Sequence, residues 1–439
     1  MSRPRVLVIS YRYPPQRTMG ALRVANLVSR LPSFGWDPEV VTVAPRSNLY
    51  TEKGTLPIPS GIPVNRTPDR SLHHIARRFL PREERGGASD RRTLPSKVKE
   101  RLARIGYAIY RGILCFPDEC VLWYLRDYRR IRAAAEAFGP DVLLSSALPP
   151  TSHLIASRLS RELRVPWVAE FRDLWTQSYV WVRIPPLRPI EKRLEIRTLR
   201  PASALITVSE PLADQLRALH RKPTFVVTNG FDEATKPPPP PPQGAPFTIT
   251  YTGMIYAGKR DPRMLFEALT ELLAEGALPP TGLRIRFVGR KMGPVRALLD
   301  RHPQLAEMVE VRGEVSHEEA LALQRESTVL LLMEWTDPLA RGDYSGKLFE
   351  YLGTRRPILA IAPRDGVIEH LLREVGAGAS VCTAEGASAV LRDWFTRYRD
   401  DGSLPIGPKD ERITRYTWQA QTEQLAAILS RILEGKDRS

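Results

Sequence analysis

At 439 residues, 42% hydrophobic and 26% charged, the chain is too long for one ordinary core and predicts two α/β domains of roughly 200 residues each. No apolar run approaches the ~20 residues that span a bilayer, and Cys115, Cys120 and Cys382 form neither a CxxC nor a metal spacing, so a membrane span, a disulfide scaffold and a structural zinc site are set aside and a reducing cytoplasm is expected. The net charge of +16 is uneven, with 39 Lys and Arg against 22 Asp and Glu in residues 1–250 but 26 against 27 in residues 251–439; such a field favours an anionic partner (a lipid surface, a lipid-linked phosphate or a nucleic acid), the competing reading being a solvated basic face.

In chain order, Arg5–Ser10 predicts a buried first strand, because Val6-Leu7-Val8-Ile9-Ser10 is too short for a signal-peptide core. Ala21–Leu31 has apolar residues at helical spacing and ends before Pro32. Further strands are predicted at Glu39–Val43, Asp141–Ser145, Trp167–Phe171 and Ala204–Val208, with a helix from about Ser152 to Leu163. Strands alternating with helices imply a mostly parallel sheet with right-handed crossovers.

Residues 66–132 interrupt this pattern. There Val98, Leu102, Ile105, Ile109 and Ile113 share one helical face, ringed by Lys97, Lys99, Arg101, Arg104 and Arg111. Such a helix either lies on an anionic membrane surface or packs on its own domain. The chain is therefore expected to be cytoplasmic, with a peripheral seat on the inner membrane face open to it. Pro237–Pro242 predicts a stiff spacer, and residues 237–246 a linker between an N-terminal domain of residues 1–236 and a C-terminal one of residues 247–414. Beyond it, strands at Thr248–Thr252, Arg284–Val288, Val309–Arg312, Val329–Met333, Ile358–Ile361 and Ala379–Val381 predict a second doubly wound unit.

In open α/β sheets, ligands bind at the carboxyl ends of the strands, and three segments fall there. Tyr13-Pro14-Pro15 through Gly20 to Arg23 joins the first strand to the first helix, where Gly20 permits close backbone approach and the helix offers free N–H groups to an anion. Thr252-Gly253-Met254-Ile255-Tyr256-Ala257-Gly258-Lys259-Arg260 ends a strand at a glycine and brings two cations suited to phosphate; an exposed basic turn is the alternative. In Asp343-Tyr344-Ser345-Gly346-Lys347-Leu348-Phe349-Glu350, Ser345 is a plausible N-cap, so Gly346 and Lys347 open a helix that would meet a pyrophosphate. Glu350, about one turn on, can accept both hydroxyls of a ribose.

The ordered set Tyr13-Pro14-Pro15, Gly20, Arg23, Phe171-Arg172-Asp173-Leu174-Trp175, Thr207-Val208-Ser209-Glu210, Asn229-Gly230-Phe231-Asp232, Gly253, Gly289 and Gly346-Lys347-Leu348-Phe349-Glu350-Tyr351-Leu352 resembles the retaining glycosyltransferases of family 4, closest to the branch of bacterial polysaccharide and antibiotic-sugar pathways. The resemblance runs from residue 5 to about 430. It implies the GT-B fold, two Rossmann-like doubly wound α/β domains facing across a cleft, with a tail from about residue 415 crossing back. It implies a nucleotide-sugar donor and a hydroxyl acceptor (a lipid-linked sugar, a glycan or a small molecule). Gly20 would face the donor diphosphate, Arg260 or Lys259 and Lys347 would neutralise it in place of a metal, Glu350 would bind the ribose, and Gly253, Gly289, Ser345, Gly346 and Leu348 would complete the donor site.

No cofactor and no metal are expected. A Glu that related enzymes often carry eight residues before the ribose carboxylate is Gly342 here, beside Asp343, and a histidine at a strand end is Arg172. On the acceptor side Asp173 is the first candidate carboxylate, with Arg172 and His153 beside it. Two other readings stay open: a GT-B nucleotide-sugar epimerase, and a non-catalytic anion- or nucleic-acid-binding protein. No nucleic-acid module is recognisable, so nucleic acid is not the expected partner.

Overall fold

The structure, a computed structural model, describes residues 3–45, 56–72, 115–179, 185–232, 244–256, 258–404 and 406–436. The basic helix expected around residues 97–113 and the proline run at 237–242 lie outside the described residues. Contacts divide the chain into two units, one of described residues up to Val227 together with those from Thr422 onward, the other running from Thr228 to Gln421.

The N-terminal unit holds one seven-stranded parallel sheet. Its strands are β1 (Arg5–Ser10), β2 (Asp37–Val43), β3 (Val64–Thr67), β4 (Val142–Ala147), β5 (Trp167–Phe171), β6 (Ala204–Thr207) and β7 (Thr224–Val226). They lie in the order β3-β2-β1-β4-β5-β6-β7, with Val8 opposite Val40 on one side and Leu144 on the other. Crossovers run through α1 (Met19–Arg30), α2 (Val121–Phe138), α3 (Thr151–Leu163), α4 (Arg188–Leu199) and α5 (Glu210–His220). α1 ends at Arg30, before Pro32 as the sequence suggested, and a separate 3-10 turn over Leu31–Phe34 follows and ends on the left-handed Gly35, proline being tolerated in the first turn of a helical segment.

The C-terminal unit holds a six-stranded parallel sheet of β8 (Phe247–Thr252), β9 (Leu283–Val288), β10 (Val309–Arg312), β11 (Val329–Met333), β12 (Ile358–Ile361) and β13 (Gly378–Val381), in the order β10-β9-β8-β11-β12-β13. Its helices are α6 (Arg263–Ala274), α7 (Gly293–Leu299), α8 (His317–Arg325), α9 (Gly346–Thr354), α10 (Val367–Val375) and α11 (Ala384–Asp401). The final helix α12 (Trp418–Lys436) lends its residues from Thr422 onward to the N-terminal unit. Near-continuous apolar strands such as Val329–Met333, buried throughout, are what a sheet covered on both faces requires. Both sheets have the doubly wound order, which reverses between β1 and β4 and between β8 and β11; those junctions are where such sheets open a crevice at their carboxyl ends.

Several residues of the ordered motif set pack the interior of one unit or the other. Arg23 on α1 is almost fully buried, and its Nε meets Glu170 Oε1 of β5 at 2.7 Å. Its Nη2 donates to the Val227 carbonyl at 2.7 Å, while Glu170 also accepts from the Ser146 hydroxyl of β4. Gly230 lies so close to Trp418 that a Cβ would meet its backbone nitrogen at 2.8 Å, and the Phe231 ring packs where a Cβ of Gly353 would be. Removing one partner of a buried, hydrogen-bonded pair strands the other charge. Arg23→Met should therefore cost about 3–5 kcal/mol in urea-induced unfolding, and Arg23→Met with Glu170→Gln should recover part of that loss; a single variant near wild-type stability would contradict this role.

Candidate donor site in the C-terminal unit

β8 and β11 are neighbours across the reversal of the second sheet. β8 runs straight into Gly253, whose φ of +143° is reserved for glycine. The missing side chain is structural as well as conformational, because a Cβ there would collide with the Lys347 ammonium. Gly289, at the end of β9 with φ +142°, in turn leaves room for the Gly253 carbonyl, and Gly253 N–H donates to Val288 O at 2.7 Å. The two glycines thus let two strand ends and one lysine share a space too small for any side chain.

Lys347 reaches this place from the first turn of α9. Its Nζ stands 5.6 Å from the centroid of the Tyr251 ring. Among the described residues it makes no hydrogen bond and no ion pair. Burial pushes its pKa down, and the nearby Arg260 charge pushes the same way against Glu350 and Glu334. Ser345 occupies the N-cap position with extended backbone, yet its hydroxyl makes no capping hydrogen bond; the expected cap is one of position, not of side chain. Gly346 follows as the first residue of α9. Leu348, expected to border the donor, is instead fully buried in the core with Phe349 and Leu352, and its N–H is spent on Ser345 O at 3.1 Å.

Arg260 and Lys259 separate cleanly. Arg260 is half-buried and binds Glu334 Oε2 through Nη2 at 3.0 Å and Nε at 3.3 Å. Lys259 is exposed and lies over the Trp335 ring, 3.9 Å from its centroid. Arg260 is therefore the cation that shares the field of Lys347. Glu334 and Trp335, just past the end of β11, did not stand out in the sequence.

Glu350 lies on the same helix, and its Oε1 accepts from Gln324 Nε2 at 2.6 Å. The same Gln324 nitrogen donates to Thr252 Oγ1 at 2.9 Å, and the Tyr351 hydroxyl accepts from the Thr252 N–H at 3.1 Å. These bonds tie α8 and α9 to the end of β8. The second oxygen of Glu350 is 4.0 Å from His317 Nδ1 and stays partly exposed. A carboxylate held by one oxygen with the other facing outward suits two adjacent ligand hydroxyls.

The N-terminal candidates are assembled separately. Arg172 follows the last residue of β5, and its guanidinium occupies the space a Cβ of Gly20 would need. Its Nη2 and Nε bind Asp173 Oδ2 at 2.7 and 2.9 Å, and Asp173 is half-exposed. Gly20, Arg172 and Asp173 are thus one group at the carboxyl edge of the first sheet. His153 is not part of it. It is fully buried, 4.5 Å from the Phe171 ring centroid, with Nδ1 at 2.7 Å from Ser145 Oγ, and burial with the His220 charge lowers its pKa to about 3. A core histidine explains it, which removes it from the acceptor-side candidates. Trp175 Nε1 donates to Glu191 at 2.9 Å and Thr176 N–H to Glu195 at 3.0 Å, fixing the segment after β5 to α4.

By sequence, residues 20–230 match the glycosyl transferase 4-like domain. No curated protein matches the chain. Among solved structures the chain is similar in fold to a glycosyltransferase from Rickettsia africae ESF-5, with TM-score 0.61, 12% identity and 99% of each chain covered. It is also similar to Anabaena HepE in complex with UDP-glucose, with TM-score 0.54, 13% identity and 99% of this chain and 100% of that chain covered. A putative UDP-N-acetylglucosamine 2-epimerase from Listeria monocytogenes shares the fold at TM-score 0.54 and 15% identity, over 98% of this chain and 97% of that one.

Two measurements check the geometry. Gly253→Ala and Lys347→Ala should not add, because each removes the other's reason to be small or absent. The double variant should be more stable than the sum of the singles predicts by about 1 kcal/mol, and strict additivity would argue against the shared volume. His153 titrates near 6.5 when unfolded but near 3 when folded, so the unfolded chain gains a proton first as pH falls. Stability should therefore drop by about 1.4 kcal/mol per pH unit below pH 6.5, down towards pH 3. Urea titrations of wild type and His153→Asn at two pH values inside that window should diverge by this slope; parallel profiles would count against it.

Proposed function

Because residues 20–230 belong to the glycosyl transferase 4-like family and the whole chain carries the GT-B fold, we propose that this glycosyltransferase moves a sugar from a nucleoside-diphosphate donor to a hydroxyl acceptor with retention and without a metal. The observation that carries the reading is Lys347, a cation tucked against Gly253 with, among the described residues, no carboxylate on it. A desolvated, unpaired ammonium at a helix N-terminus beside Arg260 is a place for a diphosphate. Glu350, braced by Gln324, takes the ribose hydroxyls.

In the proposed reaction the bond from the anomeric carbon to the diphosphate oxygen breaks as the bond to the acceptor oxygen forms on the same face. The acceptor proton passes to the departing diphosphate, so no protein nucleophile is required. Lys347 and Arg260 stabilise the charge that grows on the leaving group, work done by a metal in other transferases. Asp173, with Arg172, is the acceptor-side carboxylate of this proposal. UDP-glucose, which Anabaena HepE binds, is the donor to try first. The positive excess of residues 1–250 supports an anionic acceptor, such as a lipid-linked phosphate, presented at a membrane face in polysaccharide, glycolipid or secondary-metabolite synthesis. Among the described residues no helix is long and apolar enough to cross a membrane.

Lys347→Ala should lower kcat by ~10²–10³, since the lost charge matters most as the glycosidic bond breaks. Glu350→Ala should mainly raise the donor KM, by roughly 1.5–3 kcal/mol of lost charge-assisted hydrogen bonding. Turnover should survive EDTA. Normal donor kinetics in both variants, or loss of activity with chelator and recovery with manganese or magnesium, would overturn the proposal. Release of an isomerised nucleotide-sugar without acceptor would move the assignment to an epimerase.

A further inference from the structure

Glu334 follows β11, next to β8 at the sheet reversal. Its N–H donates to Ile361 O at 2.9 Å, which fixes it in register with the end of β12. Its side chain is 14% exposed. Oε2 is committed to Arg260, but Oε1 is buried and, among the described residues, has no hydrogen-bond partner. A buried carboxylate oxygen without a donor is costly, and native proteins rarely keep one without a use for it.

The surroundings narrow what that donor can be. A second phosphate is excluded by like charge, and a cation is already present on Oε2. The field of Lys347 reaches both Arg260 and Glu334, so a ligand whose diphosphate lay on the two cations would bring the group attached to that diphosphate towards Glu334. In a nucleotide-sugar that group is the sugar, and its donors are hydroxyls.

Building on the donor-site reading above, we infer that Glu334 accepts a hydroxyl of the transferred sugar on Oε1 while its Oε2 holds Arg260 against the diphosphate. One carboxylate then both recognises the sugar and fixes a cation on the leaving group. With the ribose hydroxyls on Glu350 and the diphosphate on the cations, Oε1 is left to the sugar, so the contribution is specific to donors that carry it.

The test compares UDP-glucose with UDP, and the GDP, ADP and dTDP pairs, for binding to full-length wild type, Glu334→Gln and Glu334→Ala by calorimetry. Glu334→Ala should weaken the nucleotide-sugar by about tenfold or more while the matching nucleoside diphosphate binds as well as before or more tightly, Arg260 being released from its partner. Glu334→Gln, which keeps a neutral acceptor, should fall between. Retained nucleoside-diphosphate binding also certifies that the variants are folded. Equal losses for both members of a pair, or no loss for either, would overturn the inference while leaving the donor site intact. If wild type binds neither member of any pair, the donor-site reading itself fails and this assignment falls with it.

Discussion

The arrangement of the C-terminal unit depends on one shared volume, that of the Lys347 ammonium and the absent side chain of Gly253. For the lysine to stand there, β8 must end in a conformation only glycine adopts readily, at φ +143°. Gly289 must then admit the Gly253 carbonyl, and Tyr351 must hold Thr252 so that α9 arrives at the right height. Each condition is unrelated to catalysis taken singly. Together they deliver a cation, desolvated and without a partner among the described residues, to the carboxyl end of a parallel strand beside a helix N-terminus, where the backbone also favours an anion.

The two units treat buried charge in opposite ways. In the N-terminal unit Arg23 and Glu170 saturate one another, with Val227 and Ser146 taking further bonds, and Glu191 and Glu195 are occupied in holding the segment after β5. Such charges are satisfied by the fold and stay as they are. In the C-terminal unit, among the described residues, Lys347 is unpaired and Glu334 is satisfied on one oxygen only. A fold keeps such deficits where a ligand is to make them good, at some cost to the empty protein. The contrast separates charges that the fold satisfies from charges left open to a ligand more sharply than motif membership does, since Arg23 and Lys347 belong to the same ordered set.

That distinction also marks how far the sequence could be read. The interior strands were legible because a sheet covered on both faces demands unbroken apolar runs; Trp167–Phe171 and Val329–Met333 lie where their composition put them. β3 (Val-Asn-Arg-Thr) and the three-residue β7 escaped notice. They are edge strands, short and half polar, and carry no such run. In the candidate site, the placement of Gly253 after a strand end and of Lys347 and Glu350 on one helix was legible through local spacing. Gln324 and Glu334 were not, because their partners stand 72 and 74 positions away and neither residue breaks a local pattern. Leu348 and His153 are the converse case: each lies near a strand end or helix start that suggests a site, but its side chain faces the core.

The charge distribution adds a last step. By count, the positive excess lies wholly in residues 1–250 and points there for an anionic partner. Yet many arginines of that half are engaged, as Arg132 and Arg158 are with Glu162, and Arg217 with Glu210 and Asp214. Lys347, a half-buried cation unpaired among the described residues, lies in the half whose charges nearly cancel. The two facts act at different ranges. A net excess sets a long-range field that gathers anions and fades within ~8 Å at physiological salt. A single ammonium stripped of water and partner sets a contact interaction that salt barely screens. Raising ionic strength should consequently weaken any recruitment of an anion by residues 1–250 well before it weakens an anion held in contact with Lys347, so the salt dependence of the two events separates long-range attraction from local binding.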